Sequence, residues 1–272
     1  MRKKIGLLII TVSLILSVGL IGCNKGDNSS SNEKEIKVSI AASLQKPMEE
    51  IANEFTKETG IKVQYNIGGS GTLQKQILQG GDADLFFSAS TKYVKELIEK
   101  GIVDKKDSYN ILTNSLVLIA GNNIHKNLKD LNELKNINGK IAVGEISTVP
   151  AGQYTKETLE NLKLWDSIKD KLVYAKSVTS VKNYVESGDA DYGFVYKTDG
   201  MDLKNSKIVY EVPNKYHKSI EYTLCLIKDS KNKENSEKFL DFLKGDKSKE
   251  IFKNYGFGVE WYYDFKCILY IF

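Results

Sequence analysis

Apolar positions along this chain follow two rhythms that take turns. Ile36 to Ala41 alternates with a period of two, the pattern of a short strand. Leu44, Met48, Ile51, Ala52 and Phe55 then share one face of a helix, with Ser43 placed to cap its start and Gly60 to stop it. Pro47 lies in the first turn, where, with Ser43 as the cap, it costs one early backbone bond and blurs the helix boundary. Ile61 to Ile67 reads as the next strand, followed by the glycine loop Gly68-Gly69-Ser70-Gly71 and a short helix from Thr72 to Gln79. Leu85 to Ser88 is a strand and Thr91 to Lys100 a helix closed by Gly101. The scheme then recurs. Strands are predicted at 115–120, 140–144, 172–175 and 192–196, with helices at 150–162, where Pro150 suits the first helical turn, and at 178–186. A strand at 219–227 is placed to return to the first half, and helices at 235–243 and 247–254 close the chain.

Strands alternating with helices imply an α/β fold with mainly parallel sheets flanked by helices. The run Gln79-Gly80-Gly81-Asp82-Ala83-Asp84-Leu85-Phe86-Phe87 is echoed by Glu186-Ser187-Gly188-Asp189-Ala190-Asp191-Tyr192-Gly193-Phe194. Each is a helix end, a Gly-Asp-Ala-Asp turn and a strand start, which favours two related lobes. The expected division is 36–112 plus 221–257 for lobe 1 and 113–220 for lobe 2. In sheets of this kind ligands gather beyond the carboxyl ends of the strands, which here means the cleft between the lobes.

Before Ile36 the chain reads differently. Arg2, Lys3 and Lys4 precede an uncharged apolar run from Ile5 to Ile21, which has the shape of a secretory signal and is barely long enough to span a bilayer. Leu20-Ile21-Gly22-Cys23 resembles the bacterial lipobox. That resemblance implies removal of 1–22, a lipid on Cys23 and an extracytoplasmic protein anchored to the cell membrane. Asn24 to Glu35 reads as a polar tether.

The formal net charge of +4 over 272 residues owes much to the N-terminal cluster, and no basic stripe interleaved with aromatics points to nucleic acid. Of three cysteines, Cys225 lies in an apolar run and reads as a buried strand thiol. Neither Cys225 nor Cys267 has metal-ligand spacing, and the two histidines, His125 and His217, have no spaced partner. Zinc chemistry and a histidine-activated nucleophile are therefore poorly supported.

The candidate chemistry lies in four strand-to-helix turns: Ala41-Ala42-Ser43, Gly69-Ser70-Gly71-Thr72, Val149-Pro150-Ala151-Gly152 and Ser177-Val178-Thr179. A helix start offers unsatisfied N–H donors and a partial positive charge, which suits an anion. Glycines 68, 69, 71 and 152 would let a ligand approach the backbone. None of the turns has a charged residue at its centre. Such a site suits a fully deprotonated tetrahedral dianion, whereas an anion that still carries a proton would profit from a carboxylate acceptor. Pattern alone leaves two readings of Ser43, Ser70, Ala151 and Val178: ordinary caps and turn residues, or the donors of an anion site. Tyr196 reads from pattern as a strand-end core residue.

The segments VSIAAS (38–43), FTKETGIKV (55–63), GGSGT (68–72), ADLFFSAS (83–90), NSLV (114–117), IAVG (141–144), VPAG (149–152), GFVY (193–196) and IFKNYGF (251–257) together resemble the molybdate-binding component of an ABC importer, over nearly all of 36–257. The resemblance implies a two-lobe periplasmic-binding-protein fold of type II that closes on molybdate or tungstate and delivers it to a permease driven by an ATPase. It implies no enzymatic activity, no cofactor and no bare metal cation, molybdenum being held as its oxyanion. Carried over by motif, the ligand contacts are Ser43 and Ser70 through hydroxyl and backbone, Ala151 and Val178 through backbone N–H groups, and Tyr196 through its phenol, with a monomer expected. The rivals are the same fold holding sulfate, phosphate or an iron complex, and an extracellular hydrolase with Ser43 or Ser70 as nucleophile. The hydrolase lacks a G-x-S-x-G elbow. Members of the family usually stop near Tyr255-Gly256-Phe257, whereas this chain continues as an apolar tail, 258–272, which is expected to be dispensable for binding.

Overall fold

A computed structural model describes residues 34–124 and 128–262. The signal, Cys23 and the tether lie outside the described residues, as do His125 and Cys267. No helix among the described residues is long and apolar enough to cross a membrane.

The elements run β1 (Glu35–Ala41), α1 (Gln45–Thr59), β2 (Lys62–Gly68), α2 (Ser70–Leu78), β3 (Leu85–Ser88), α3 (Thr91–Glu99), β4 (Ser108–Asn114) and β5 (Leu116–Gly121). They continue as β6 (Ile141–Gly144), α4 (Pro150–Asn161), α5 (Trp165–Ile168), β7 (Leu172–Ala175), α6 (Val178–Ser187), β8 (Tyr192–Tyr196) and β9 (Ser206–Glu211). β10 (Ile220–Leu226), α7 (Lys233–Lys244), α8 (Asp246–Asn254) and β11 (Gly258–Tyr262) complete the described residues. Two sheets result, one ordered β11-β4-β10-β3-β1-β2 and the other β7-β6-β8-β5-β9. We call the layers built on them lobe 1 and lobe 2.

The chain crosses between the sheets twice, at Ser115 between β4 and β5, and again between β9 and β10. These crossovers explain a departure from the expected sheets, which are mixed rather than mainly parallel. β1 pairs in parallel with β2 and β3, and β6 with β7 and β8, as β-α-β units require. The crossing strands carry no helix before them and enter antiparallel, β10 against β3 and β4, and β5 against β8 and β9. The first residues of the C-terminal tail form β11, which pairs antiparallel with the edge of β4.

Helix positions follow from burial. α1 turns Met48, Ile51, Ala52 and Phe55 inward, and Phe55 packs against the rings of Phe239 (4.8 Å) and Phe242 (5.4 Å) on α7. Burial of Met48, Ile51 and Phe55 contributes about 1.5–3 kcal/mol each. Gly60 takes a left-handed conformation (φ 70°) and ends α1 by donating its N–H to Thr56 O at 2.9 Å. Ser43 does not cap α1. The chain tightens into a single 3₁₀ turn, Ala42–Leu44, directly after β1, which leaves Leu44 in the cap position and turns Ser43 elsewhere. Cys225 is fully buried on β10, and burial pushes its thiol up from its ordinary range.

The two Gly-Asp-Ala-Asp turns fold alike. Asp84 accepts the Lys37 N–H at 2.7 Å and returns its own N–H to Lys37 O at 2.7 Å. Asp191 accepts the Lys140 N–H at 2.8 Å and returns its N–H to Lys140 O at 3.0 Å. Each aspartate thereby ties the entry of its strand to the neighbouring parallel strand, so the sequence echo corresponds to one repeated structural device.

Candidate functional site

Four helix starts converge where the lobes meet. The 3₁₀ turn leading into α1 and the start of α2 come from lobe 1, and the starts of α4 and α6 from lobe 2. They enclose a small cavity lined by Ser43, Ser70, Ala151, Val178 and Tyr196, with Ala41, Ala42, Gly68, Gly69, Ala89, Val149 and Pro150 filling the wall. The centre of a water-sized sphere can range over only about 10 Å³ there. All five residues singled out from the sequence thus meet at one place, and no charged side chain lines it.

The caps explain why donors remain free. α2 and α4 start after Gly69 and Val149, neither of which makes a side-chain capping bond. Pro150 opens α4 without an N–H, so Ala151 presents the first amide of that helix. Gly152 and Gln153 turn their N–H groups back to Val149 O, at 2.9 and 3.2 Å. In α6 the Ser177 hydroxyl accepts the Ser180 N–H at 3.1 Å, and Val178 is the first helical residue. First-turn amides have no acceptor within their own helix.

The hydroxyls are set as donors. Ser70, fully buried, accepts the Ala89 N–H on its Oγ at 3.0 Å, which leaves its own proton for the cavity. Ser43 Oγ lies 2.9 Å from the Tyr222 phenol. Tyr196 is 1 % exposed, and its hydroxyl has no hydrogen-bond partner. A buried hydroxyl without a partner costs about 1–3 kcal/mol, so this group is placed for something the protein does not supply itself. Burial pushes the phenols of both Tyr196 and Tyr222 well above their ordinary range, so both keep their protons at neutral pH.

The glycines serve a different contact from the one expected. A side chain at Gly71 would meet Tyr93 Oη at 2.7 Å and Thr148 Cα at 2.8 Å, and one at Gly69 would meet Thr148 O and Lys176 O, each at 3.0 Å. Gly152 sits against the Gly144 backbone. These positions let backbone approach backbone, Gly69 and Gly71 across the cleft and Gly152 within lobe 2. Gly71 donates its N–H to Thr148 O at 2.8 Å, Tyr93 reaches Ser147 O at 3.3 Å and is bonded by Gln153, and Lys46 pairs with Asp202. The lobes are therefore closed on one another.

Sequence reasoning missed three polar residues around this cavity: Tyr222, Asn114 and Asp199. Asn114 Nδ2 donates to Tyr222 Oη at 3.2 Å. Asp199 follows Tyr196 by three residues, and its Oδ2 is buried without a partner. Burial raises its carboxyl from 3.8 to about 7, opposed by Lys182 and Lys46. Tyr222 sits in a run that alternates like any core strand, and nothing local marks it. Among the described residues no cluster could hold a metal ion, and neither Ser43 nor Ser70 is bonded to a base. His217 is turned to Lys218 O at 2.8 Å.

Known proteins resemble this chain in sequence and fold. Residues 36–258 match the family model described as bacterial extracellular solute-binding protein. The chain is 40 % identical to YvgL of Bacillus subtilis (strain 168), over 96 % of this chain and 100 % of that one, whose name provisionally makes it an ABC transporter substrate-binding lipoprotein. It is 37 % identical to the molybdate-binding protein ModA of Escherichia coli (strain K12), over 86 % of this chain and 92 % of that one. The solved periplasmic molybdate-binding protein of Azotobacter vinelandii superposes with a TM-score of 0.75 at 25 % identity, covering 83 % of this chain and 99 % of that one. Two mixed sheets joined by a double crossover and closed over a cleft of helix starts are the type II form of that fold. The chain belongs to the bacterial extracellular solute-binding proteins.

Proposed function

We propose that the protein captures molybdate or tungstate between its lobes and hands it to the permease of an ABC importer driven by an ATPase. One observation carries this reading. The cavity has helix-start amides and hydroxyl donors on both sides, one of them the buried and unpartnered Tyr196 phenol, and no charged side chain. Ser43 and Ser70 give hydrogen bonds from lobe 1, and the Ala151 and Val178 amides with the Tyr196 hydroxyl give them from lobe 2. Hydrogen bonds to a charged group are worth about 1.5–3 kcal/mol each, and helix ends add up to about 2 kcal/mol in buried sites. Five such donors therefore suffice for a micromolar complex, which needs about 8 kcal/mol. The likeness to ModA and to the Azotobacter protein supports the choice of oxyanion.

No step of bond making is assigned to the site. It binds and releases, and the serines lack a base to activate them. We take the binding unit to be a monomer. Capture outside the cytoplasm follows from the family, and the name of YvgL supports a lipid anchor, here on Cys23. Competition calorimetry with molybdate, tungstate, sulfate and phosphate tests the reading. We expect the first two to bind at micromolar concentration or below and to displace the others. Equal binding of sulfate or phosphate would assign a different anion, and turnover of esters by the purified protein would assign a different class.

A further inference from the structure

We propose that Asn114 and Tyr222 fix the direction of the Ser43 hydroxyl, so that Ser43 turns its proton to the bound anion. The inference rests on the oxyanion reading above. Asn114 is the last residue of β4, one position before the chain crosses into lobe 2. Its Oδ1 accepts the Ser115 backbone N–H at 2.9 Å. A backbone N–H can only donate, so this contact fixes which end of the amide is which. Nδ2 therefore faces Tyr222 Oη at 3.2 Å and Thr198 Oγ1, on lobe 2, at 3.0 Å. An amide nitrogen can only donate, so the phenol oxygen accepts.

Tyr222 is fully buried and packs edge-on against Phe87 and Phe257, with ring centroids 6.4 and 5.4 Å away. Its single proton needs an acceptor, and Ser43 Oγ at 2.9 Å is the acceptor in reach. Tyr222 therefore donates to Ser43, and the Ser43 proton is left to point into the cavity. The chain of donation runs from Asn114 to Tyr222, from Tyr222 to Ser43, and from Ser43 to the ligand. Ser70 reaches the same state in one step, because a backbone N–H occupies its acceptor side.

With both serines committed as donors, the Tyr196 phenol is the one side-chain hydroxyl of the cavity still free to accept from an anion that carries a proton. Hydrogen phosphate would have to spend the Tyr196 phenol on accepting its O–H and lose that donor, while molybdate near neutral pH has no O–H to place. Tyr222 and Asn114 are thus positioning residues that set selectivity between anions of equal charge. Ser70 owes its direction to the backbone and cannot be reprogrammed by substitution, whereas Ser43 can.

The test is a double-mutant cycle of Tyr222→Phe and Ser43→Ala in the full chain, read by calorimetry with molybdate and with phosphate. Tyr222→Phe keeps the ring and its packing. With Ser43 present we expect it to weaken molybdate about tenfold, or about 1.4 kcal/mol, and to narrow the preference over phosphate. In the Ser43→Ala protein it should have no further effect. Asn114→Ala, which leaves the Tyr222 ring untouched, should behave in the same way. Equal losses of molybdate affinity with and without Ser43, or parallel losses for both anions, would show that Tyr222 acts through packing and would overturn the proposal. The infrared C–O band of the Tyr222 phenol, assigned by its loss in Tyr222→Phe, tests the relay without any ligand. A band that both donates and accepts supports the relay, and an acceptor-only band refutes it. A wild-type protein that shows the donating band but binds neither anion would instead overturn the oxyanion reading.

Discussion

The two halves of the cavity reach the same end by different means. Lobe 1 offers serine hydroxyls whose acceptor sides are already occupied by the protein: Ser70 by the Ala89 N–H, Ser43 by Tyr222. Lobe 2 offers amides at two helix starts and a phenol that nothing in the protein satisfies. Lobe 1 is thus preorganised by bonds that stabilise it whether or not a ligand is bound. Lobe 2 holds an unsatisfied group whose cost, about 1–3 kcal/mol, the ligand would relieve. The contrast teaches that affinity and stability are aligned on one side of the cleft and opposed on the other.

The strongest way to break the arrangement is to keep the halves apart. A side chain at position 71 would collide with the Thr148 backbone when the lobes are closed, and with the Tyr93 ring of its own lobe. We expect Gly71→Val to lower molybdate affinity by about a hundredfold or more, a loss of roughly 2.7 kcal/mol. Solution scattering should show a larger radius of gyration that molybdate no longer reduces. A variant that still closes would place the contact elsewhere.

Next in size, Ser70→Ala and Ser43→Ala should each weaken molybdate about ten- to a hundredfold, that is by roughly 1–3 kcal/mol. Both should also lower the melting temperature of the free protein, because each strands a buried donor, the Ala89 N–H or the Tyr222 phenol. Tyr196→Phe should weaken binding about tenfold yet raise the melting temperature of the free protein by about 2–4 °C per kcal/mol gained. Calorimetry and thermal melts on the same preparations check the opposite signs. If Tyr196→Phe destabilises the free protein as the serine variants do, the two halves are not different after all.

The smallest effect concerns Asp199, which lies behind the lobe 2 phenol. Its carboxyl is raised from 3.8 to about 7 by burial, with Lys182 and Lys46 pulling the other way and the Tyr196 and Tyr222 phenols close by. A raised acid holds its proton in the native state while the unfolded chain has already released it. The native state therefore binds more protons between about pH 4 and pH 7, and stability falls as pH rises through that window. The contribution is complete below about pH 4 and gone above about pH 7. Ionised Asp199 also places a negative charge beside the cavity, so molybdate affinity should decline as pH passes through about 7. Asp199→Asn should flatten both profiles, in melts and in calorimetric titrations across pH. A slope unchanged in that variant would assign it to another group.

Much of this could be read from the chain. The helices bounded by Gly60 and Gly101, the strands at Leu85–Ser88 and Tyr192–Tyr196, and the starts at Pro150 and Val178 are fixed by local pattern, turn chemistry and caps. β4 and β9 were not legible, because both are partly exposed and neither alternates cleanly. Missing them hid the antiparallel half of each sheet. The helix starts of the site were legible because helix ends have a local signature, although Ser43 proved to be bonded to Tyr222 and not to cap its helix. The partners of those residues were not legible. Tyr222 reaches Ser43 only because β10 pairs with β3, the neighbour of β1, and Asn114 reaches Tyr222 because β10 pairs with β4, so both depend on strands distant in sequence. The glycines of the second turn were legible as close approaches, but what approaches Gly69 and Gly71 is the backbone of the opposite lobe.

The central claim is that neutral amides and hydroxyls from both lobes hold a doubly charged anion with no countercharge in contact. A crystal structure grown with molybdate measures this directly. We expect the oxygens of the anion within hydrogen-bond distance of the Ser43, Ser70 and Tyr196 hydroxyls and of the Ala151 and Val178 amides, with no lysine or arginine touching it. A cationic side chain drawn onto the anion, or an anion seated away from these helix starts, would contradict it.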